Sequence, residues 1–203
     1  MARAMVLGCL LTTACYCGPP EPAWRELFDG RTLDGFVATQ FGGEGEVAVR
    51  RGAIELGIGS PLTGITWTGV PPCGDYELEV VATRVQGGDF FCGLTFPVGE
   101  RHLTLVLGGW GGTVCGLSSL DGLDAAHNAT RTLRRFDIGR AYTIHIAVAP
   151  ETIVVQLDGA PFLTASLRGQ ALSLRPEVDL CRPLGLASFA TAAAIHAVRW
   201  RPR

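Results

Sequence analysis

Apolar and polar residues alternate along three segments of the chain. In residues 75–85 (DYELEVVATRV), 140–150 (RAYTIHIAVAP) and 151–159 (ETIVVQLDG), every second position is apolar and the positions between them are mostly polar. A period of two with one apolar face is typical of antiparallel strands in a half-buried sheet. The apolar positions that we expect in the core are Leu78, Val80, Ile144, Ile146, Ile153 and Val155.

Further short apolar segments predict more strands, at 46–50, 53–58, 64–69, 89–98, 101–109, 184–190 and 195–201. Turns separate them, and the 27 glycines and 12 prolines fit many turns better than long helices. A chain of 203 residues suits one β-rich domain. We therefore predict an all-β fold, a single antiparallel β-sandwich or jelly roll, in which any helix is a short piece near 170–180.

The first residues have the pattern of an export signal. Arg3 is followed by the apolar segment AMVLGCLLTTA (4–14), which is too short to span a bilayer. We expect residues 1–14 to be a signal peptide, residues 15–23 a Pro-rich tether, and residues 24–203 the folded domain. The signal also resembles that of bacterial lipoproteins, with Cys15 as the lipidated residue; the alternative is a secretory peptide cleaved near Ala14. The expected location is periplasmic, anchored to the cell envelope, or secreted.

Composition excludes several classes of function. The net charge is −2 and the Lys and Arg residues are scattered, whereas a nucleic-acid binder needs a clustered positive field. No segment after the signal has 18 uninterrupted apolar residues, so the mature chain is not expected to span a membrane. A GxSxG elbow, an HExxH motif, a P-loop and a GxGxxG motif in strand–helix context are all missing from the sequence. We expect no cofactor; the oligomeric state is left open.

Cysteine spacing does not predict a metal site. The chain has no CxxC pair, so a structural zinc site is not expected. Cys73, Cys92, Cys115 and Cys181 lie in the expected domain and allow three disulfide pairings, among which the sequence does not choose. Cys92, inside an apolar strand, is equally explained as an ordinary buried thiol.

A glycine-rich segment, GGWGG (108–112), is the first candidate for ligand binding. Glycine lets the backbone approach a ligand closely, and the Trp110 ring is a surface on which a sugar could stack. The alternative is a hairpin whose tryptophan covers the edge of the sandwich. Asp89, which begins a strand beside a Gly-Gly pair, is a second candidate for substrate binding. We expect residues 108–128 to form one rim of a ligand cleft.

Polar residues follow in GLSSLDGLDAAHN (116–128). Asp121, Asp124 and His127 are the candidate catalytic residues, His127 because its ordinary pKa suits acid–base work. Asn128 is a candidate for substrate binding. Each has a structural alternative: Asp121 in a turn, Asp124 as a helix cap, His127 as a solvated loop residue. The spacing does not match an EF-hand calcium loop.

The polar face of one strand offers another candidate site. Glu77 and Glu79 lie on the same face about 7 Å apart by strand rise, a separation compatible with acid–base work. His145 and His102 could join them if their strands were neighbours. The alternative is a solvated polar face.

The segment ELFDGRTLDGF (26–36), followed by the strand pattern and a terminal IHAVRW (195–200), resembles the 3-keto-disaccharide hydrolase family. TIVVQLDGAPF (152–162) is similar to a late strand–turn–strand hairpin of that family. The resemblance covers residues 24–202, and it implies a concanavalin-like, laminin-G-like jelly roll. It also implies action on 3-keto-glucosides, in which a base removes the proton at sugar carbon 2, the aglycone leaves, and water adds to the enone.

The sequence departs from this family at three polar positions. Members carry Glu and Arg late in the strand that matches 75–85, where this chain has Val81 and Thr83, and Phe91 replaces the first residue of their Asn-Ser-Gly-Ile motif. Two interpretations of different class follow. The chain is an exported enzyme acting on 3-keto-sugars, or a non-catalytic module that binds glycans or proteins at the cell envelope.

Overall fold

The computed structural model describes residues 22–203, which form two antiparallel sheets. The first, sheet A, contains β1 (Arg25–Glu26), β3 (Val47–Arg50), β4 (Ala53–Leu56), β6 (Tyr76–Gly87), β11 (Ala141–Ala149), β12 (Thr152–Leu157), β13 (Ala160–Ser166) and β15 (Thr191–Pro202). The second, sheet B, contains β2 (Phe36–Ala38), β5 (Leu62–Trp67), β7 (Cys92–Val98), β8 (Arg101–Gly109), β9 (Val114–Ser118), β10 (Thr132–Leu133) and β14 (Gly185–Phe189). A short 3-10 helix, η1 (Pro176–Cys181), lies where the sequence predicted a short helical piece, near 170–180.

The order of the strands combines hairpins within a sheet, such as β7–β8–β9 and β11–β12–β13, with connections that cross between the sheets. Sheet A runs β13-β12-β11-β6-β15-β4-β3, with β1 paired to β15, and sheet B runs β10-β9-β8-β7-β14-β5-β2. The chain crosses between sheets at several loops, among them the connection from β6 to β7. The fold is a single-domain antiparallel β-sandwich of the jelly-roll type, so the predicted fold class is confirmed.

The core fills the space between the two sheets. All six residues predicted there are fully buried: Leu78, Val80, Ile144, Ile146, Ile153 and Val155. The opposing layer comes from sheet B, where Leu94, Leu103 and Leu105 are also fully buried. The register explains this pairing, because Leu78, Val80 and Ala82 face inward while the residues between them face outward on β6.

The opening segment forms the turns that its Asp-Gly pairs predict. The Asp29 carboxylate accepts hydrogen bonds from the backbone N–H groups of Arg31 and Thr32 at 2.7 and 2.8 Å. Gly30 and Gly35 have φ of 76° and 80°, a backbone region that favours glycine.

Two expectations about the chain ends lie outside the described residues. The predicted signal peptide (1–14), Cys15 and most of the tether (15–23) belong to the part that the structure does not describe; Pro22 and Ala23 are exposed. Among residues 22–203, no helix is long and apolar enough to cross a membrane.

The four cysteines of the domain are free thiols, so none of the three disulfide pairings forms among them. Cys73 is exposed, and Cys92, Cys115 and Cys181 are buried. Burial raises the pKa of Cys92 and Cys181 to about 12 and that of Cys115 to about 11. The buried thiols are therefore protonated and behave as small core residues.

Candidate functional site

A cleft of about 220 Å³ lies on the outer face of sheet B. Its floor is formed by Thr104 and Val106 of β8 and by Ser118 of β9, which alternate with core residues on the same strands. The helix η1 forms one wall through Val178, which packs with Leu62 of β5 in a small apolar cluster. The floor therefore combines hydroxyl groups with aliphatic surface and contains no carboxylate.

Aromatic rings form the opposite wall of the cleft. Phe90, just before β7, and Phe189 of β14 pack with ring centroids 5.7 Å apart. Trp110 lies in the turn between β8 and β9 and is 40% exposed, with φ of 48°. Because an exposed indole beside a hydroxyl-bearing floor presents both an apolar face and hydrogen-bonding groups, the cleft suits an amphipathic ligand.

Asp89 fixes the position of this aromatic wall. One carboxylate oxygen accepts the N–H of Phe90 at 2.8 Å, and the other accepts the N–H of Gly111 at 3.0 Å. The backbone N–H of Asp89 is in turn bonded to the hydroxyl of Thr191 at 3.0 Å. Asp89 lines the cleft, as expected, but its carboxylate joins the β6–β7 loop to the turn that carries Trp110.

The charged rim of the cleft comes from the segment before and within η1. Arg175 forms ion pairs with Glu177 at 2.6 Å and with Asp124 at 2.7 Å. The hydrogen bond from Arg175 lowers the pKa of Glu177, and the bond with Glu177 raises the pKa of Arg175. Both groups are therefore charged at neutral pH and hold each other in place.

A second depression of about 400 Å³ shares this rim. Arg175 and Glu177 line both cavities, and the second one adds Ser119, Gly122 and Asp124. Asp124 thus lies outside the cleft that contains Trp110, but it is ion-paired with Arg175, which lines that cleft.

Asp124 is held by three donors. Its carboxylate accepts the N–H of Ala126 at 3.0 Å, lies 2.7 Å from Nδ1 of His127, and accepts Nη1 of Arg175 at 2.7 Å. Burial opposes ionisation, but the hydrogen bonds from His127 and Ala126 and the charge of Arg175 lower the pKa of Asp124 below its ordinary value. A carboxylate held in this way is a weak base.

The other predicted residues of 116–128 face different surroundings. His127 is exposed and contacts Asp124 without lining either cavity. Asp121 has φ of 51° and accepts the N–H of Ala171 at 2.7 Å, which ties its loop to the segment before η1. The expected single rim of 108–128 is therefore divided by strand β9, with Trp110 at one end and the aspartates at the other.

Asn128 is fully engaged with the backbone. Its side-chain amide donates to the carbonyls of Leu117, Leu123 and Asp124 at 2.8 to 3.1 Å. Its carbonyl accepts the backbone N–H of Thr130 at 2.9 Å and the hydroxyl of Thr130 at 2.6 Å. These bonds account for the hydrogen-bonding groups of the side chain and place Asn128 in the scaffold of the loop.

The glycines around Trp110 make room for a protein side chain. Gly108 and Gly112 have φ of 76° and 103°, and a Cβ on either would meet the guanidinium of Arg84. Arg84 donates from Nη2 to the carbonyls of both residues, at 3.1 and 3.3 Å. The structure thus gives a reason for these glycines other than close approach of a sugar.

The alternative site on β6 is an ion-paired surface on sheet A. Glu77 is 2.7 Å from Arg201, and Glu79 is 2.7 Å from Arg199. His145 lies 3.4 Å from Glu77, whereas His102 belongs to β8 in the other sheet, so the two histidines are not neighbours. Glu77 and Glu79 therefore stand in a polar face that cross-strand pairs stabilise.

The positions where the chain departs from the 3-keto-disaccharide hydrolase pattern lie away from the cleft. Val81 and Thr83 are on the outer side of β6 in sheet A, and the Thr83 hydroxyl is 2.9 Å from Nε2 of His196. Phe91 is buried in the core, with its ring centroid 4.9 Å from that of Phe136.

Of the residues that line the cleft, sequence analysis named only Asp89 and Trp110 as candidates; the residues of the walls and rim that it missed include Leu62, Phe90, Phe189, Arg175 and Glu177. They come from four separate segments that only the folded sandwich brings together. The paired phenylalanines beside strand ends, Phe90 and Phe189, were the available signal, since an aromatic residue next to a strand end is a candidate wall. In the described part of the chain, no three His, Cys, Asp or Glu side chains are grouped so that they could hold a metal ion.

Comparisons with known proteins show a likeness in fold. No family model matches the chain, and no curated protein matches it by sequence. A Crh5 transglycosylase in complex with NAG superposes with a TM-score of 0.63 at 13% identity, covering 91% of this chain and 88% of that chain. A β-glucanase of Bacillus licheniformis superposes with a TM-score of 0.58 at 12% identity, covering 92% and 100%.

The carbohydrate-binding module CBM66 of Bacillus subtilis also superposes, with a TM-score of 0.51 at 12% identity, over 82% of this chain and 95% of that chain. At these identities the likeness concerns the fold alone. The chain has the concanavalin-like jelly roll that glycosidases and carbohydrate-binding modules share.

Proposed function

We propose that this protein binds a carbohydrate in the cleft on sheet B. The observation that carries the proposal is the cleft itself, in which the exposed Trp110 faces a floor of Thr104, Val106 and Ser118. A sugar ring has an apolar face and hydroxyl edges, and this combination of indole and hydroxyls matches both. Solved structures of the same fold include a carbohydrate-binding module and a transglycosylase in complex with NAG, which supports the same class of ligand.

The charges around the cleft favour binding over catalysis. The carboxylates that line it, Asp89 and Glu177, are engaged with backbone N–H groups and with Arg175, respectively. The pKa of Glu177 is lowered, whereas a general acid or base near neutrality needs a carboxyl pKa that is raised. We therefore infer a glycan-binding module as the main function.

Turnover of 3-keto-glucosides is the second candidate. The observation that favours it is the 2.7 Å contact between Nδ1 of His127 and Asp124, because a carboxylate on one imidazole nitrogen orients the other as a base. In the elimination, Nε2 would take the proton from carbon 2 while the aglycone leaves from carbon 1. The resemblance in 26–36 supports this substrate class, and the signal-like residues 1–14 support export of either kind of protein.

The test of the main proposal is a glycan array followed by calorimetry of the strongest ligand with Trp110→Ala. Covering roughly 80 Å² of the indole face contributes about 2 kcal/mol at ~25 cal/mol per Å². The variant should therefore bind roughly 30-fold more weakly, with an unchanged melting temperature because the ring is partly exposed. The matched control is Leu133→Ala, which removes an exposed apolar side chain at the sheet edge and should leave affinity unchanged.

Equal affinity of Trp110→Ala and the unmodified protein would contradict the binding site. A separate assay with 3-keto-trehalose decides the second candidate. Turnover that disappears in His127→Gln, with glycan affinity retained, would support 3-keto-glucoside turnover with His127 as the base. Absence of turnover would contradict the second candidate, and the Trp110→Ala titration tests the binding function independently.

A further inference from the structure

Arg84 is a buried arginine that connects the two sheets. It lies on β6 in sheet A and is 6% exposed, and its Nη2 donates to the carbonyls of Asp89, Gly108 and Gly112 at 3.0, 3.1 and 3.3 Å. Its guanidinium also lies 5.6 Å from the ring centroid of Phe91. These contacts engage Nη2 and leave Nε and Nη1 without a hydrogen-bond partner among the described residues.

The remaining nitrogens of Arg84 have no anionic partner. Nε is buried without a hydrogen-bond partner, and neither Nε nor Nη1 contacts a carboxylate among residues 22–203. The nearby carboxylate of Asp89 is directed to the N–H groups of Phe90 and Gly111. Burial lowers the pKa of Arg84, because the surroundings do not fully replace the water that the cation has lost. The charge of Asp89 opposes this effect only in part, and a buried cation that is incompletely compensated is costly to the fold.

Arg84 lines an open depression of about 420 Å³ on the far side of the Trp110 turn. Its other walls include Arg135, the glycines of the turn and Asp137. Arg135 is exposed and forms no ion pair with a described residue. A Cβ on Gly112 would lie 3.0 Å from the carbonyl oxygen of Gly88 and 3.3 Å from Nη1 of Arg84, so glycine keeps the space beside this nitrogen open.

Asp137 is the one carboxylate that lines the depression, and it has other contacts. It is 4.0 Å from Arg140 and 3.4 Å from the hydroxyl of Tyr142. The balance of charge on the walls is therefore positive, with two arginines free of ion pairs against one carboxylate that already has partners. Such a surface attracts an anion and orients it through guanidinium N–H groups.

We propose that this depression is a binding site for an oxyanion, a carboxylate or sulfate group, held between Arg84 and Arg135. Because Nη2 of Arg84 is bonded to carbonyls and its Nε is buried, Nη1 is the group of Arg84 that would donate to the anion, and the exposed guanidinium of Arg135 would supply the paired N–H donors. The site lies apart from the cleft on sheet B and does not depend on the function proposed for that cleft. A free inorganic ion and an acidic group on a sugar share the required chemistry.

The experiment is a titration of the full 15N-labelled chain with sodium sulfate at constant ionic strength, followed through the backbone N–H signals of Gly88, Gly111 and Gly112. We expect saturable shifts at these signals. Replacing Arg84 would release three carbonyls and endanger the fold, so the variant is Arg135→Gln, which should weaken binding at least about five-fold. Asp137→Asn should strengthen it, since a like charge is removed.

The matched control is Arg101→Gln, at the opposite end of β8 and roughly 25 Å away by strand rise. It should leave the titration unchanged, which separates a site from the general effect of sulfate on proteins. Shifts that do not saturate, or that are equal in Arg135→Gln, would overturn the proposal. Glucuronate and glucose then identify the source: saturation by glucuronate alone supports an acidic sugar, and saturation by sulfate alone supports a free ion.

Discussion

The outer faces of the two sheets differ in chemistry although both belong to one sandwich. On sheet A, Glu77 pairs with Arg201 and Glu79 with Arg199, and the ring centroid of Trp24 lies 4.7 Å from the guanidinium carbon of Arg201 and 4.9 Å from that of Arg199. On sheet B, the outward positions of the central strands carry small, hydroxyl or aliphatic residues, and η1 and aromatic rings stand over them.

This difference indicates which face is available for a ligand. Charges on sheet A already satisfy one another across strands, so a ligand would have to displace an internal partner. The floor of sheet B is neutral, and its hydroxyl groups pair only with other hydroxyls, Thr104 with Thr95 and Ser118 with Ser119, so a ligand there has no ion pair to displace. A jelly roll can thus assign one face to stability and the other to recognition, and three experiments test this division.

The largest effect is expected from placing a charge on each face. Val106→Asp introduces a carboxylate at a position that is 5% exposed on the cleft floor, and it should lower the free energy of unfolding by about 3 kcal/mol or more. Val154→Asp is the matched variant on the half-buried outer side of β12, where we expect a loss of at most about 1 kcal/mol. Urea denaturation of both proteins measures the contrast; equal losses would mean that the faces do not differ.

A smaller effect is expected from removing a charge on sheet A. Glu77→Gln weakens the contacts with Arg201 and His145 at a side chain that is 14% exposed, and it should cost about 1.5 kcal/mol of stability while leaving glycan affinity unchanged. Glu151→Gln, whose 2.6 Å pair with Arg168 is largely exposed, should cost less than about 0.5 kcal/mol. A loss of glycan affinity in Glu77→Gln would place the site on sheet A instead.

The smallest effect concerns acid and the rim of the cleft. The pKa of Asp124 is lower in the folded chain than its ordinary value of 3.8. The ionised group therefore stabilises the fold above that pH, and the contribution is lost as the pH falls through the folded-state pKa. Asp124→Asn should flatten the dependence of stability on pH between about pH 5 and pH 2, and Arg175→Gln should do so partly. An unchanged slope in Asp124→Asn would show that the three donors do not stabilise the carboxylate.

The strands of sheet A could be predicted from the sequence because one of their faces meets water. Strands β6, β11 and β12 alternate buried and half-buried residues, and this alternation is visible in the order of the side chains. Strand β9 was missed because all five of its residues are buried, which removes the alternation. The alternation alone does not predict strand β13, because Pro161 and small residues weaken its pattern, whereas the resemblance at 152–162 did indicate a second strand after the turn.

The candidate site could be predicted only in part. Trp110 and Asp89 could be predicted as ligand-binding candidates because of their neighbours in sequence. Trp110 stands among the glycines of 108–112, and Asp89 follows a separate Gly-Gly pair at 87–88. Arg175 and Phe189 are ordinary residues in their own segments, and they acquire a role only when the fold brings η1 and β14 to the same cleft as β8. Asp121 and Asn128 were predicted to be site residues because polar residues are concentrated in one loop. In the structure their side chains form hydrogen bonds with the backbone.

The pairing of β1 with β15 places the two ends of the described chain next to each other. Arg25 lies opposite Trp200 in the register, so the first and last strands that the structure describes are side by side in sheet A. A topology of this kind suits circular permutation, in which the old ends are joined and new ends are opened at an exposed turn such as that at Gly159. Since the join falls on sheet A, the peptide that links the old ends would lie at that sheet and leave the cleft on sheet B accessible.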